Sequence, residues 1–381
     1  MTKNITSNLV DEDCIFIITT GAHCATLFLG PQIRFWVASR PVIVAGSGPY
    51  AKQSCETFIE ISITRKPNLF QDLRTLYQLI RHLRKRKPKI VLTLMPKAGL
   101  LGQMAGFLTG VPTRVHVFTG QVWASKTGSV RQILVWFDKL IAKLATHLLT
   151  DGHSQKSVIV EAGIAPAPKI NVPGHGSICG VDTKRFYPDA TLRSAERHGL
   201  NFTNDDFLFL FLGRLANDKG VGTYLDLAEQ LKDMPGVHFL LVGQDDDNWQ
   251  PKISALRRAG VNVRYLGYRL DCENILRAVD VMVLPSLREG FGSVVIEAGA
   301  CAIPVITTDV YGLKDSVQDG VNGLTYPVGD TQRLVKLAQK LATNAGLCRT
   351  LGRNGRTRAL SLFNSDYVVK RWDEYFNGLP N

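Results

Sequence analysis

Short apolar runs bounded by polar or glycine-containing turns recur through the second half of the chain, at Phe207–Leu212, Val237–Val242, 263–266, Val281–Leu284 and 304–308. Runs of this length, apolar at every position, are the pattern of strands buried on both faces, as parallel strands are. Amphipathic segments of helical length separate them, an alternation that predicts a doubly wound α/β sheet. The first half repeats the rhythm more loosely, with strands expected at 14–19, 42–45, Ile90–Leu94 and 114–118, and helices at Leu69–Arg86 and 130–147. A polar stretch, 183–206, shows no strand pattern. The expected architecture is therefore two Rossmann-like doubly wound domains, residues 1–185 and 206–362, joined by a linker over 186–205. A C-terminal helix is expected over 363–381, its Tyr367, Trp372, Tyr375 and Phe376 spaced to dock an apolar face, with the N-terminal domain as a candidate surface. Ligands of open α/β sheets bind outside the carboxyl ends of the strands, so two such domains would face a central cleft.

Composition narrows the class. With 381 residues, 45% hydrophobic and 20% charged, the chain can build sizeable cores and is neither disordered nor fibrous. Its seven cysteines, Cys14, Cys24, Cys55, Cys179, Cys272, Cys301 and Cys348, are odd in number and show no ligand spacing, which fits a reducing compartment and not a structural zinc site. Asp11, Glu12 and Asp13 precede the first apolar run, the reverse of a signal peptide. The longest nearly uncharged apolar stretch, 98–111, falls short of the ~18–20 residues that span a bilayer. A cytoplasmic protein without a transmembrane helix is expected. The net charge of +12 is lopsided: residues 1–200 hold 25 Lys and Arg against 12 Asp and Glu, and residues 201–381 hold 20 against 21. The positive half suits an anionic partner, whether nucleic acid, an anionic membrane surface or a diphosphate substrate.

The densest chemistry is Glu289, Gly290, Phe291, Gly292, Ser293, Val294, Val295, Ile296 and Glu297, directly after the strand Val281–Leu284 and opening a helix. Glycines let backbone approach a ligand, and a helix start offers free N–H groups and a positive dipole end, which together favour a phosphate. The carboxylates of Glu289 and Glu297, separated by at most ~12 Å along a helix, could accept hydrogen bonds from the hydroxyls at either end of a diphosphate sugar. After the strand Phe207–Leu212, Gly213 and Arg214 lead to Lys219 and Gly220, two cations able to offset charge on a departing diphosphate.

Together with Val242-Gly243, Leu266-Gly267-Tyr268 and Gly320-Val321-Asn322-Gly323, these segments resemble, over about 206–345, the retaining nucleotide-sugar glycosyltransferases of family 4, which have the GT-B fold. The resemblance implies that Gly213, Arg214, Lys219 and Gly243 surround the donor diphosphate and that Glu289 contacts the transferred sugar. It further implies that the amides of Gly290, Phe291, Gly292, Ser293 and Val294 assist the phosphates, that Glu297 binds the ribose, and that Tyr268 and Arg269 border the base. Arg214, Lys219 and Glu289 are then the catalytic residues. In the N-terminal half the likeness is weaker, resting on Pro96-Lys97-Ala98-Gly99 and the strand ending at Thr119. The family's Gly-rich first loop is reduced here to Gly21, beside His23. Thr119 stands where a His is often found, while His116 lies within the strand and reads as a packed residue.

The acceptor is expected on the N-terminal domain, where Gly21 and the loop carrying Trp123, Lys126 and Arg131 reach the carboxyl edge of the sheet. The basic amphipathic stretch Leu69 to Lys89, with Phe70, Leu73, Tyr77, Ile80 and Leu83 at helical spacing and Arg81, Arg84, Lys85, Arg86 and Lys87 at its end, reads as a peripheral membrane contact and not an acceptor site. Asp245, Asp246 and Asp247 contain the Asp-x-Asp spacing that can hold a divalent ion, but a loop or helix cap also uses such a carboxylate, and no metal or resident cofactor is expected. The expected activity is retaining transfer of a hexose-type sugar from a nucleotide diphosphate, UDP in the first instance, to a lipid-linked or saccharide acceptor in surface polysaccharide assembly, at the inner face of a membrane. A sugar-nucleotide epimerase of the same fold and a non-catalytic nucleic-acid-binding protein remain the rival readings.

Overall fold

The computed structural model describes residues 13–64 and 67–379, so Asp11 and Glu12 of the acidic start lie outside the described residues. Two compact units emerge: one reaches Cys179 and takes in the C-terminal segment from Val368 onward, and the other is Gly180–Tyr367.

The first unit is built on a parallel sheet of β1 (Ile15–Gly21), β2 (Val42–Ser47), β3 (Thr57–Glu60), β4 (Ile90–Leu94), β5 (Thr113–Phe118), β6 (His147–Thr150) and β7 (Ile170–Asn171), in the order β3-β2-β1-β4-β5-β6-β7. The order reverses between β1 and β4, which makes the loops after these two strands the natural ligand position. Its helices are α1 (Ala22–Trp36), α2 (Leu69–Arg86), α3 (Pro96–Leu108), α4 (Gly128–Leu144) and α5 (His153–Glu161). Right-handed crossovers set α2, α3 and α4 side by side on one face, with α3 packed between the other two. Helix α3 lies unusually close to the sheet because Gly99, Gly102 and Gly106 face it: a Cβ at these positions would fall 2.4 Å from the His116 ring, 2.6 Å from Thr93 and 3.1 Å from Arg114. Trp372 and Phe376 of the C-terminal helix (Ser365–Asn377) pack on Trp36 of α1, with ring centroids 6.5 and 5.1 Å away.

The second unit holds β8 (Phe207–Leu212), β9 (Val237–Val242), β10 (Val263–Tyr265), β11 (Val281–Leu284), β12 (Val305–Thr308) and β13 (Gly323–Tyr326), all parallel, in the order β10-β9-β8-β11-β12-β13. Its helices are α6 (Ala190–Gly199), α7 (Val221–Gln230), α8 (Gln250–Arg258), α9 (Cys272–Ala278), α10 (Ser293–Ala300), α11 (Leu313–Ser316), α12 (Thr331–Ala342) and α13 (Ala345–Leu362). Successive side chains of β8 enter opposite core layers, Leu208 and Leu210 one and Phe209 and Phe211 the other, as a centrally buried strand requires.

The expected linker over 186–205 is corrected. It contains α6, which packs on α9 through arginines: Arg193 and the fully buried Arg197 meet the two oxygens of Asp280 at 2.5 and 2.6 Å, and Arg197 Nε donates to Ala278 O. A helix that docks by guanidinium groups looks like a linker in a hydrophobicity pattern. The chain enters the second unit at Gly180 and leaves it after Tyr367.

Candidate functional site

In the second unit, the loops after β8, β9 and β11 are tied to one another at the carboxyl edge of the sheet. Leu215 N donates to Gln244 O, and Gly243, at φ +146°, lies so close to Gly213 that a Cβ there would fall 1.8 Å from the Gly213 carbonyl oxygen. Only glycine permits that approach. The β8 and β11 loops are joined by Leu287 N donating to Asp218 O and by an Arg288–Asp218 ion pair of 2.9 Å. The cations and carboxylates found in sequence therefore belong to one rigid loop cluster.

Within it, Lys219 Nζ stands 2.7 Å from Glu289 Oε1, and the same oxygen accepts from Ser286 Oγ at 2.8 Å. Ser286 is held in turn by Thr308 Oγ1, which donates to its carbonyl. Arg214, half exposed, reaches Asp246 Oδ2 at 2.6 Å. Glu289 lies in the loop before α10 and only Glu297 on the helix, so the two carboxylates are not carried on one helix as the spacing estimate assumed. Ser293 and Val294 occupy the first turn of α10, whose N–H groups have no intrahelical acceptor. Gly290 and Gly292 flank Phe291, whose ring is buried against Phe363, 5.3 Å between centroids, leaving only its backbone to face a ligand.

Glu297 accepts no hydrogen bond from the described side chains, and burial pushes its carboxyl up to about 7, against the opposing pull of Arg185. Arg185 itself is bound to Glu273 and to Leu270 O, each at 2.6 Å. Tyr268 is 69% exposed and its ring is available for stacking. Arg269 is not: Asp271 and Glu196 hold it at 2.5 and 3.2 Å, and that pairing draws the Asp271 carboxyl down to about 2. Each carboxylate of the Asp run has a partner as well. Asp245 accepts from Trp249 N and Gln250 N at the start of α8, Asp246 pairs with Arg214, and Asp247 accepts from Asn217 N and Nδ2. Ser286, Asp218, Arg288 and Arg185 surround the candidate residues without a role in the motif reading, although Asp218 and Arg288 stand directly beside Lys219 and Glu289 and Ser286 lies three residues before Glu289.

The first unit corrects the acceptor loop. Trp123 is 3% exposed, and its Nε1 donates to Asp138 Oδ2 at 2.7 Å, while the Arg131 guanidinium covers its ring at 5.3 Å. Burial raises Asp138 to about 6. Trp123 therefore anchors the loop and cannot enter a lipid interface; Lys126 and Arg131 are exposed. Gly21 ends β1 and leads into α1, with Thr19 Oγ1 donating to its carbonyl. His116 is buried, its Nδ1 2.8 Å from Thr93 Oγ1, and burial lowers it to about 3, so it is a neutral packed residue; Thr119 stands in the loop after β5.

Comparison with known proteins shows the same division. A family model described as "Glycosyl transferases group 1" matches residues 193–358, and one described as "Glycosyl transferase 4-like domain" matches residues 37–174. The capsular polysaccharide biosynthesis glycosyltransferase CapM of Staphylococcus aureus is 31% identical over 342 residues, covering 88% of this chain and 89% of its own. The UDP-Gal:alpha-D-GlcNAc-diphosphoundecaprenol alpha-1,3-galactosyltransferase of Escherichia coli is 28% identical over 346 residues, 87% of this chain and 86% of its own. Among solved structures, Anabaena HepE in complex with UDP superposes with a TM-score of 0.81 at 20% identity, over 96% of this chain and 100% of that one. At that identity the likeness concerns the fold.

Proposed function

The chain belongs to the GT4-type nucleotide-sugar glycosyltransferases of the GT-B fold, and from that premise we propose that it moves a hexose from UDP to an acceptor carried on a polyprenyl diphosphate, with retention at the anomeric carbon, in assembly of a surface polysaccharide. The observation that carries the donor side is the Lys219–Glu289 pair beside the start of α10. A phosphate arriving there meets Lys219, Arg214 and the amides of Ser293 and Val294, while Glu289 remains to accept from sugar hydroxyls. As the acceptor hydroxyl oxygen bonds the anomeric carbon and the bond to UDP breaks, the electron pair leaves on the diphosphate, where these donors offset it, and the departing diphosphate oxygen takes up the hydroxyl proton. Glu297 accepts from the ribose and Tyr268 lies against the base. The nucleotide assignment draws support from HepE, solved with UDP, and the acceptor from the E. coli relative, named for a diphosphoundecaprenol substrate.

No divalent ion is required in this reading, because cations and helix amides already serve the leaving group and Asp245, Asp246 and Asp247 each hold a protein partner. The protein works peripherally at the inner face of a membrane, which is consistent with no helix among the described residues being long and apolar enough to cross one. The test is mass spectrometry and anomeric NMR of products made from UDP-hexoses and a polyprenyl-diphosphate saccharide. An α-linked product from an α-linked donor supports the reading. Transfer with inversion, or only from another nucleotide, overturns it.

A further inference from the structure

The second sheet reverses its strand order between β8 and β11, the position at which an open α/β sheet takes its ligand. These two strands pair over a short length, with Phe209 opposite Val281 and Leu210 opposite Met282. Beyond that each follows its outer neighbour, β8 staying with β9 as far as Leu212 and Val242, and β11 with β12 as far as Leu284 and Thr307. The ladder between β8 and β11 thus ends at Leu210 and Met282, well before the chain reaches Lys219 and Glu289. Sheet hydrogen bonds do not set the spacing of the loops that carry these two residues.

The gap is closed farther out, from loop to loop. Asp218 directly precedes Lys219 and Arg288 directly precedes Glu289, and Arg288 Nη2 lies 2.9 Å from Asp218 Oδ2. Leu287 N donates to Asp218 O, also at 2.9 Å, and Gly220, at φ +75°, passes so close to the other loop that a Cβ there would fall 2.0 Å from Pro285 O. The side chains of Arg288 and Asp218 are only 19% and 29% exposed, so their attraction is less screened than that of a surface pair. Paired, they add no net charge beside Lys219 and Arg214, and Arg288 is turned to a protein carboxylate.

We propose that Asp218 and Arg288 are positioning residues for the transfer: their ion pair sets the distance between the β8 loop, which brings Lys219, and the β11 loop, which brings Glu289 and the first turn of α10. Lys219 and the amides of Ser293 and Val294 reach one diphosphate from opposite sides of the switch point. The separation of the loops therefore determines whether these donors bear on the leaving group together. A displacement of about 1 Å at such a site costs on the order of a hundredfold in rate. Neither Asp218 nor Arg288 touches the donor; each acts through the residue beside it. The inference rests on the proposed function in giving Lys219 and Glu289 to the donor, whereas the spacing of the loops is read without it.

Asp218→Asn keeps the side-chain shape and the carbonyl that accepts from Leu287, and Arg288→Met keeps most of the packing volume, so each removes chiefly the ion pair. In the full chain each should lower kcat about ten- to a hundredfold, with UDP affinity within about threefold of the wild type and a melting curve that shows a folded protein. The double variant should lose no more than either single one, and in a Lys219→Ala chain either substitution should cost less than about twofold. Unchanged kcat in both folded variants overturns the proposal, as do losses that multiply in the Lys219→Ala chain. So does UDP binding that Arg288→Met weakens and Asp218→Asn strengthens, which would make Arg288 a diphosphate ligand. A readout free of donor and acceptor is the side-chain ammonium resonance of Lys219 in nitrogen-labelled protein, assigned by its absence in Lys219→Ala. Pairing with Glu289 slows its proton exchange, and both variants should lose the signal; a signal unchanged in both overturns the proposal. A wild-type chain that transfers nothing removes the proposed function instead, and the ammonium signal then decides the positioning pair by itself.

Discussion

Lys219 Nζ and Glu289 Oε1 lie 2.7 Å apart, in loops after two neighbouring strands, β8 and β11. The pair is largely shielded from solvent, and Ser286 fixes the carboxylate from its other side. In the proposed function a diphosphate draws Lys219 from Glu289, so the two residues should act as a unit. Lys219→Ala should lower kcat by roughly a hundredfold, the range for losing one electrostatic stabiliser. Glu289→Gln should do comparable damage, and the double variant should lose far less than the product of the two, as residues sharing one function do. Steady-state kinetics on the three variants checks this; multiplicative losses would separate the pair.

With Glu297 on the donor ribose, as proposed, donor binding should depend on pH. Burial lifts its carboxyl from an ordinary 4.5 to about 7. Only the ionised form accepts from both ribose hydroxyls, so UDP affinity should rise about tenfold between pH 6 and pH 8. Glu297→Gln should flatten that dependence and weaken UDP at pH 8, while Glu289→Gln leaves UDP binding near wild type. Stability moves the other way. A raised folded-state pKa means that the folded chain binds more protons than the unfolded between pH 4.5 and 7, so this residue's burden grows as pH rises through that window. Glu297→Gln should therefore be more stable than the wild type at pH 8, by roughly 1–3 kcal/mol, and not at pH 4. Calorimetric titration with UDP and denaturant melts at both pH values read the two effects.

Much of the second unit was legible because its central strands are apolar at every position. Phe207–Leu212, Val237–Val242 and Val281–Leu284 stand where the pattern put them. Strands that are short or lie toward a sheet edge gave no such run: Thr57–Glu60 is partly exposed, Gly323–Tyr326 begins with glycine, and His147–Thr150 comes so soon after a helix that 130–147 read as one element. Helix α6 was missed because Arg193 and Arg197 dock it through charge. At the site, Arg214, Lys219 and Glu289 could be placed in adjoining loops because each comes after a strand of the same sheet. Their pairing could not, since folding brings Asp246 to Arg214 and turns Ser286 onto Glu289, while Arg288 joins the two loops through Asp218. Periodicity also carries no phase: it put Phe70 and Leu83 on one helical face, and the structure exposes the first and buries the second.

The acidic run tests the metal question. Asp245 accepts from Trp249 N and Gln250 N, as a helix cap does. Asp245→Ala should cost about 1 kcal/mol of stability with little change in kcat. Activity should survive a chelator in the wild type and in this variant. Loss of turnover with chelator, restored by Mn or Mg, would assign the run to an ion instead.

Buried Trp123 divides the loop after β5 into an anchor and a contact surface. The indole donates to Asp138, and Arg131 stacks over the ring while remaining exposed at its other edge. Trp123→Ala should therefore destabilise the first unit, by about 3–5 kcal/mol as for other large buried aromatics, and any loss of transfer should track the loss of fold. The proposed function gives Lys126 and Arg131 to the anionic acceptor and the donor to loops of the second unit, so Lys126→Ala with Arg131→Ala should raise the KM for a polyprenyl-diphosphate acceptor while leaving UDP affinity unchanged. Added salt should reproduce the KM effect in the wild type, since exposed charges are screened within ~10 Å at 0.1 M ionic strength, and should have little further effect on the double variant. Removing Arg131 uncovers the Trp123 ring, so the melting temperature is measured beside the kinetics: an unchanged KM in a folded double variant, or a loss of UDP affinity, would take the acceptor away from this loop.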